Sequence, residues 1–296
     1  MRGMGFTNLD GWPPPGSLTG IRIWDIGVTW RDIHLGVDLY DWSRLDAVVG
    51  QMEGMGASIN YVVGATPQWL AKYPDQCCYA AWLGPGSNSM PYDIDEFNKF
   101  IWNLSTRYAG RIHSYEIWNE PQLADFLYPY EDSETNALAT MTSRAYSTIK
   151  SCDGAAQVFA ASVLPRESSG GMSRAGRYLT SLQSQGWNVD GFTAHIYPDI
   201  GEGPETWHSM LVDTKTALAS YSPPTSTLWI TETNYNVPYG PVISEADAPG
   251  MVNATYSYGA AEGVNDIFWY GWDTSASLGG LDIRSDTSAW NEILLH

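Results

Sequence analysis

Three apolar runs in this chain end abruptly in polar residues whose types could do chemistry. Residues 114 to 121 read S-Y-E-I-W-N-E-P, where Glu120 follows an asparagine and precedes a proline that cannot continue a helix. Residues 227 to 236 read T-L-W-I-T-E-T-N-Y-N and place Glu232 at the end of an apolar run, and residues 191 to 198 read G-F-T-A-H-I-Y-P. Carboxylic acids can donate protons, accept protons or attack as nucleophiles, so such a pair brought together would support acid–base or covalent catalysis.

The segments around these residues alternate between strand-like and helix-like patterns. Short runs rich in β-branched and aromatic residues predict eight strands, at 4–7, 21–26, 57–64, 114–119, 157–162, 191–197, 227–232 and 266–272. Helices are predicted between them, at about 41–55, 93–108, 133–151, 172–186, 205–221 and 246–262. The connection after the first strand, L-D-G-W-P-P-P-G-S-L-T-G, is too rich in proline and glycine for a helix, so a loop is expected there.

This alternation predicts an α/β fold, a single (β/α)8 TIM barrel that occupies residues 1–296 as one catalytic domain, with the first βα helix replaced by a loop. No G-x-G-x-x-G or G-x-x-x-x-G-K-[ST] loop follows an early strand, which disfavours an open nucleotide-binding sheet. The active site of such barrels lies at the carboxyl ends of the strands. Glu120, after strand four, and Glu232, at the end of strand seven, are therefore expected to face each other.

Two carboxylates that face each other across a barrel mouth have the chemistry that glycosidic cleavage requires. One gives a proton to the leaving oxygen, while the other attacks the anomeric carbon or activates a water molecule. A separation of about 5 to 5.5 Å favours a covalent intermediate and retention, whereas roughly 6.5 to 9.5 Å admits water and gives inversion. An isolated acidic residue is usually a solvated surface charge, but neither Glu120 nor Glu232 lies in a helix-surface pattern.

Composition narrows the range of partners. The 14 Trp and 18 Tyr are more than packing requires and fit a carbohydrate ligand, because aromatic rings stack on the faces of sugars. The net charge of −18 disfavours nucleic acid and anionic membranes, which need clustered Lys and Arg. No run reaches the roughly 18 apolar residues of a membrane span. We therefore expect an oligo- or polysaccharide substrate, no nucleic acid, no membrane insertion and a monomer.

The amino terminus lacks the apolar core of a signal peptide. We expect a secreted or cell-surface protein whose signal is absent from this chain, and a cytoplasmic or phage-associated location stays open. Cys77, Cys78 and Cys152 form an odd set without C-x-x-C spacing, so neither a zinc site nor a disulfide framework is indicated. Free structural thiols are expected, with a vicinal bond between Cys77 and Cys78 as the disfavoured alternative, and no metal or organic cofactor is expected.

The strand-end motifs resemble a known group of enzymes. I-W-N-E-P, H-I-Y-P and W-I-T-E-T-N, in this order, resemble the retaining β-glycosidases of glycoside hydrolase clan A. The amino-terminal stretches I-R-I-W-D-I-G-V-T-W, Y-D-W-S-R-L-D-A-V-V and G-A-T-P-Q-W-L-A are similar to family 39 and its relatives, so the resemblance covers nearly the whole barrel. T-E-T-N-Y-N departs from the T-E-W-N common in family 39, which leaves the subfamily and the sugar open.

The resemblance implies roles for residues at these strand ends. Glu120 would be the general acid/base and Glu232 the nucleophile, and Asn119 would hydrogen-bond the 2-hydroxyl of the sugar in the reacting subsite. Arg22 would lie beside Glu232 and hold it ionised through its permanent positive charge. Tyr197 would hydrogen-bond Glu232. A barrel-bottom ion pair is the alternative role for Arg22.

Further residues are expected around the pair. His195 would contact substrate or orient the acid/base, with a buried core histidine as the alternative. Trp272 or Trp269 would form the floor of the reacting subsite, and because side chains alternate along a strand only one can face it, for which we favour Trp272. Glu116 would support the site without touching the substrate. Loop aromatic residues that could stack on neighbouring sugars are Trp30, Trp69, Trp82, Tyr235 and Tyr239.

These features together predict a glycoside hydrolase that cleaves internal β-linked bonds of a polysaccharide by double displacement, with retention of configuration. An exo-acting glycosidase of the β-xylosidase or furanosidase type is one alternative, and a non-catalytic carbohydrate-binding barrel is another. The presence of both Glu120 and Glu232 disfavours the binding barrel, because binding alone needs neither an acid/base nor a nucleophile.

Overall fold

The computed structural model of the protein describes residues 2–6, 11–78, 83–166, 170–264, 266–272, 278–284 and 287–296. Its main sheet has eight parallel strands, β1 (Arg2–Phe6), β2 (Gly20–Ile23), β3 (Ser58–Val63), β4 (Ser114–Ile117), β5 (Gln157–Phe159), β6 (Phe192–Ile196), β7 (Leu228–Thr233) and β8 (Ile267–Trp269). The helices that follow β2 to β8 in turn are α1 (Ser43–Met55), α2 (Ile94–Arg107), α3 (Asp132–Cys152), α4 (Gly171–Ser184), α5 (Pro204–Ser220), α6 (Ala248–Ala261) and α7 (Thr287–Leu295).

The sheet closes on itself as a (β/α)8 barrel. Its strands pair in the order β5-β4-β3-β2-β1-β8-β7-β6. The circle is completed between β5 and β6, where the amide of Ala160 donates to the carbonyl of Gly191 at 3.1 Å and the amide of Val163 donates to the carbonyl of Thr193 at 3.0 Å. The predicted fold is confirmed. The described residues between β1 and β2 form no helix, as the proline-rich connection predicts, and Thr7 of the first predicted strand lies outside the described residues.

A small two-stranded hairpin lies on the loop between β2 and α1. It pairs His34–Gly36 with Leu39–Tyr40 in antiparallel fashion and follows a one-turn helix, Trp30–Ile33. Thr29 begins this helix as its N-cap, because its side chain and that of Asp32 form a reciprocal capping box. The hairpin extends the loop region beside the carboxyl ends of the strands.

Side chains of β8 show how the barrel separates its two apolar layers. A Cβ built on Gly259 of α6 would lie 2.8 Å from Ile267, and Trp269 donates its indole N–H to Tyr256 of α6 at 3.3 Å, so both residues face the helices. Phe268, between them, points the opposite way, as strand alternation requires. It lies against Gly3 of β1, where a Cβ would collide with the Phe268 ring.

A stack of aromatic side chains fills the lower interior of the barrel. Phe159 of β5 and Trp229 of β7 lie 4.3 Å apart between ring centroids, and Phe268 lies 6.0 Å from Trp229. All three side chains are buried and form a cluster separate from the core under the helices. Gly191 leaves room for Phe159, because a Cβ there would lie 2.7 Å from the ring. The polar residues of the barrel interior therefore lie above an apolar plug.

The cysteines differ from the expectation of three free thiols. The structure joins Cys77 and Cys78 in a vicinal disulfide in the loop between β3 and α2, while Cys152, at the end of α3, is a free and partly buried thiol. The expectation of free thiols rested on the strain expected in the eight-membered ring that a bond between adjacent cysteines closes, and the structure contains that ring. Within the described residues, no helix combines the length and apolarity needed to cross a membrane.

Candidate active site

The two glutamates singled out from the sequence meet at the carboxyl end of the barrel. Glu232 is the fifth residue of β7, and Glu120 lies three residues beyond β4. Trp118 and Glu120 have positive φ angles of 83° and 38°, so the chain turns sharply directly after β4. The amide of Glu120 donates to Ser162 Oγ at 3.2 Å, which ties this turn to the chain beyond β5. Such left-handed residues concentrate at functional sites, where the surrounding structure holds them in place.

His195 of β6 lies between the two carboxylates. Its Nδ1 is 2.7 Å from Glu120 Oε1 and 3.5 Å from Glu232 Oε2. One polar atom from each of these three side chains, a carboxylate oxygen or a ring nitrogen, lies within 4.8 Å of the other two. The His195 side chain is fully buried, and a register shift between Ala194 and His195 sets it opposite Glu232 on the neighbouring strand. The structure thus brings Glu120, Glu232 and His195 together as one cluster.

Arg22 of β2 holds this cluster from beneath. Its Nη1 donates to Glu232 Oε1 at 2.5 Å, and its Nη2 donates to Glu116 Oε1 at 2.7 Å and to Asn119 Oδ1 at 2.9 Å. Burial alone would lower the pKa of Arg22, but the charges of Glu116 and Glu232 raise it above its ordinary value. Arg22 is therefore a permanent cation, and it lies under the cluster of Glu120, Glu232 and His195 rather than in an ion pair at the barrel bottom.

Glu232 is held in its ionised form. Burial raises its pKa, but electrostatic interactions with His195 and Arg22 and the hydrogen bond from Tyr197 hold that pKa below the ordinary value. Tyr197 Oη donates to Glu232 Oε2 at 2.7 Å, while Arg22 occupies Oε1, so each carboxylate oxygen has its own donor. A buried carboxylate with matched donors on both oxygens is suited to act as a nucleophile.

Two of the predicted aromatic residues lie in the layer between the strands and α6. Trp269 faces α6 and is fully buried against Tyr256, so the expectation that it floors the site is wrong. Tyr235 lies in the loop after β7, as expected, but its side chain packs outward with its hydroxyl 2.5 Å from Thr255 Oγ1 of α6, so it is not available to a sugar. In both cases the ring points into the layer between the strands and the helices and not into the barrel mouth.

The other predicted aromatic residues have varied surroundings. Trp272 is 7% exposed, donates its indole N–H to the carbonyl of Gly11 at 2.6 Å and packs against Phe6 and Trp290. Its role as the floor of the reacting subsite stays a prediction. Trp69 is partly exposed and lines a groove of about 680 Å³ between the hairpin and the loop after β3. Trp30 begins the one-turn helix and is a fully buried core residue, so the expectation that it could stack on a sugar is wrong. Tyr239 is 80% exposed, and Trp82 lies outside the described residues.

Two further polar residues of this cleft were not singled out from the sequence. Asp25 follows β2, and Tyr270 follows β8 and donates its hydroxyl to Asp25 Oδ2 at 2.9 Å. Asp25 interacts electrostatically with both Glu232 and Arg22. The signal available for both residues was their position directly after a barrel strand, which places a side chain at the catalytic end.

Glu120, His195 and Glu232 are also residue types that bind metal ions, and their donor atoms are close enough to share one. Arg22 bears on this possibility, because its guanidinium already occupies Glu232 Oε1 at 2.5 Å. A divalent cation at the same carboxylate would face that fixed positive charge. The arrangement therefore suits proton transfer and nucleophilic attack better than metal binding.

Comparison with solved structures shows the same fold in glycoside hydrolases. A monomeric β-xylosidase from Caulobacter crescentus CB15 has a TM-score of 0.73 at 18% identity, with 99% of this chain and 66% of that chain covered. The GH39 enzyme from Xanthomonas axonopodis pv. citri has a TM-score of 0.73 at 17% identity, with 99% and 65% covered. A GH10 xylanase from Thermobacillus composti has a TM-score of 0.63 at 11% identity, with 94% and 89% covered.

The present chain thus spans slightly less than two thirds of the Xanthomonas structure and nearly the whole of the xylanase. No family model and no curated protein sequence matches it. At these identities the likeness establishes the barrel fold.

Proposed function

We propose that the protein is a retaining glycoside hydrolase that cleaves β-linked glycosidic bonds by double displacement. The observation that carries this proposal is the arrangement of Glu120 and Glu232 around His195. An oxygen of one carboxylate lies within 4.8 Å of an oxygen of the other. This close approach favours the separation of about 5 to 5.5 Å between carboxyl groups of retaining enzymes over the roughly 6.5 to 9.5 Å of inverting enzymes.

In the first step, Glu232 attacks the anomeric carbon and Glu120 protonates the leaving oxygen. Glu232 is prepared for this because Arg22 and Tyr197 donate to its two oxygens and its pKa is held low. The hydrogen bond between His195 and Glu120 orients the Glu120 carboxyl group toward the leaving oxygen, on the side of the glycosidic bond opposite Glu232. In the second step, Glu120 takes a proton from water, and the water displaces Glu232 from the sugar.

Asn119 is placed to read the sugar itself. Its Oδ1 accepts a hydrogen bond from Arg22 Nη2 at 2.9 Å, so its amide nitrogen is the end left for a ligand. A donor beside Glu232 suits the 2-hydroxyl of the reacting sugar, where hydrogen bonds strengthen as the oxocarbenium-like transition state develops. Arg22 therefore orients the nucleophile and Asn119 together.

We favour cleavage within a polysaccharide over cleavage at its end. Two grooves of about 680 and 590 Å³ lie on either side of the loop that follows β3, one lined by Trp69 and Tyr92 and the other by Tyr73 and Tyr128. Aromatic residues beyond the catalytic pair would suit a chain of several sugars. The similar structures include both β-xylosidases and xylanases, so an exo-acting β-xylosidase is the second candidate.

The test is hydrolysis of β-linked polysaccharides and aryl β-glycosides by wild type, Glu232→Ala and Glu120→Ala, each with and without azide. Glu232→Ala should form a glycosyl azide of inverted configuration, because azide replaces the nucleophile. Glu120→Ala should form one of retained configuration, because azide attacks the covalent intermediate on Glu232. Exposed Glu245 gives a matched control, and Glu245→Ala should match wild type.

Product length separates the endo and exo readings, since internal cleavage releases oligosaccharides early and exo cleavage releases single sugars. Wild type that binds a glycan without cleaving any substrate would instead indicate the carbohydrate-binding barrel. Full activity of Glu232→Ala without azide would remove Glu232 from the nucleophile role.

A further inference from the structure

Asp25 is a carboxylate of the cleft that the proposed mechanism leaves without a role. It lies two residues beyond β2, is partly buried, and accepts a hydrogen bond on Oδ2 from Tyr270 Oη at 2.9 Å. Arg22, three residues earlier, is committed to Glu116, Asn119 and Glu232. Asp25 thus stands beside the catalytic cluster without belonging to its hydrogen-bond network.

Tyr270 is fixed in place by the end of the nucleophile strand. Its amide donates to the carbonyl of Thr233 at 2.9 Å, and its carbonyl accepts from Asn234 Nδ2 at 2.8 Å. These two anchors directly follow Glu232 in the sequence. The position of Tyr270 is therefore tied to that of the nucleophile.

A glycine lets the Tyr270 ring span the gap between two strands that are not neighbours. β1 lies between β8 and β2, and Gly5 of β1 lies under the ring, where a Cβ would be 3.3 Å from Tyr270 Cδ2. The ring crosses over Gly5 to reach Asp25 on the far side. Asp25 and Tyr270 together form a wall across three strands, from β8 to β2, on the side of Glu232 away from His195.

This wall adds negative charge to a cleft that already has an excess of it. The described acidic groups there are Asp25, Glu116, Glu120 and Glu232, and they face one permanent cation, Arg22, and the imidazole of His195. Asp25 and Glu232 are close enough for their charges to interact, and burial together with this repulsion raises the pKa of Asp25 to about 7. A ligand that brought another negative charge would face repulsion that Arg22, already paired, could not offset.

We propose that Asp25, oriented by Tyr270, accepts hydrogen bonds from hydroxyl groups of the sugar in the reacting subsite and selects neutral glycosides over glucuronides and other uronic-acid glycosides. The inference rests on the proposed glycosidase function. A carboxylate has about four acceptor positions and no donor when ionised, so it matches the donor hydroxyls of a sugar and opposes a carboxylate. Because Asn119 is placed for the 2-hydroxyl, the ring hydroxyls left for Asp25 are the 3- and 4-hydroxyls.

The alternative is that Asp25 serves only to hold Tyr270, and substrate analogues distinguish the two roles. Wild type and Asp25→Asn are assayed for kcat/KM on the preferred 4-nitrophenyl β-glycoside and on its 3-deoxy and 4-deoxy analogues. Loss of a hydrogen bond to a charged group should cost wild type about 10- to 100-fold on one deoxy analogue. Asp25→Asn should lose a similar factor in kcat/KM on the parent substrate. Its kcat/KM on that deoxy analogue should be little lower than on the parent, because the substitution has already weakened the contact.

Charge selection is measured in the same series with 4-nitrophenyl β-glucuronide. Asp25→Asn should reduce the preference for the neutral glycoside over the glucuronide by at least about tenfold, as expected for removal of one nearby like charge in a partly buried site. The comparison is made at about pH 9, because the pKa of Asp25 is about 7 and loss of the Tyr270 hydrogen bond, which lowers that pKa, raises it further. At this pH Tyr270→Phe keeps the charge of Asp25 and should keep this preference, while losing activity on the parent substrate. Asp213→Asn, on the exposed face of α5, is the matched control and should behave as wild type.

Two results would overturn the inference while leaving the proposed function intact. One is that the losses from Asp25→Asn and from deoxygenation multiply for both analogues, which shows that the two groups do not touch. The other is an unchanged ratio of neutral glycoside to glucuronide. If Asp25→Asn does not fold, Tyr270→Phe provides the test. The inference would be overturned if this variant lost as much activity as wild type on the deoxy analogue and also lost the preference for the neutral glycoside over the glucuronide. Wild type that hydrolyses no glycoside at all would overturn the proposed function and this inference with it.

Discussion

Replacement of Tyr197 by phenylalanine isolates one of the interactions that keep Glu232 ionised. The Tyr197 hydroxyl donates to Glu232 Oε2 at 2.7 Å in a fully buried setting. A hydrogen bond to a charged group contributes about 1.5 to 3 kcal/mol, which corresponds to roughly 1 to 2 pKa units. Because this bond stabilises the ionised form, its loss raises the pKa of Glu232. Arg22 and His195 stay in place, so we expect a rise near the lower figure, about one unit.

The assay is the pH dependence of kcat/KM for an aryl β-glycoside. In the proposed mechanism the active form of Glu232 is ionised, so activity should fall as pH drops through its pKa, and Tyr197→Phe should shift this acid limb upward by about one pH unit. The rate at the optimum should fall about tenfold or more. Tyr61→Phe is the matched control, since the buried Tyr61 hydroxyl donates to the carbonyl of Val28, and it should leave the acid limb in place. An unmoved acid limb in Tyr197→Phe would refute the reasoning.

Three further predictions concern other carboxylates. Glu120→Ala should slow substrates with poor leaving groups far more than activated aryl glycosides, because only the former need protonation; equal losses in a leaving-group series would argue against the acid role. Asp25 has a raised pKa of about 7, so its ionisation costs folding stability as pH rises toward 7. Asp25→Asn should therefore be more stable than wild type at pH 8 by about 2 to 4 kcal/mol and equal at pH 4 in urea unfolding, and a gain independent of pH would contradict this. Glu116→Gln, which removes a buried partner of Arg22, should lose about 3 to 5 kcal/mol in the same assay, and a loss below about 1 kcal/mol would show that Glu232 alone satisfies the arginine.

The barrel and the central carboxylates could be predicted from the sequence because both depend on short-range patterns. Each barrel strand is a run of apolar or β-branched residues bounded by loops, and a parallel barrel brings all the carboxyl ends to one face. Glu120, Glu232 and His195 were therefore expected to meet without any knowledge of the intervening chain. The hairpin at residues 34–40 was not predicted, because strands of two and three residues are too short to show a period.

The aromatic residues were harder to place because their direction depends on local register. The sequence places Trp269 and Trp272 near the end of β8. Which of them faces the barrel interior depends on the residue at which the strand, and with it the alternation of side chains, ends. Phe268 faces the barrel interior, so Trp269 faces α6, and it is Tyr270 that reaches the cleft. Tyr235 likewise turns toward α6 beyond the end of β7. Composition could predict an excess of aromatic residues but not which layer each one joins.

The aromatic plug of Phe159, Trp229 and Phe268 has a consequence for the order of events in catalysis. With the lower barrel filled, Glu120 and Glu232 open to solvent at one end, and in the proposed mechanism the leaving group departs through the same mouth by which water arrives. A hydroxyl group of a second sugar bound at that mouth would then compete directly with water for the glycosyl-enzyme. Synthesis of longer glycans by transfer would then depend on how strongly the outer grooves retain an acceptor, a property that loop residues could change without altering the chemistry beneath.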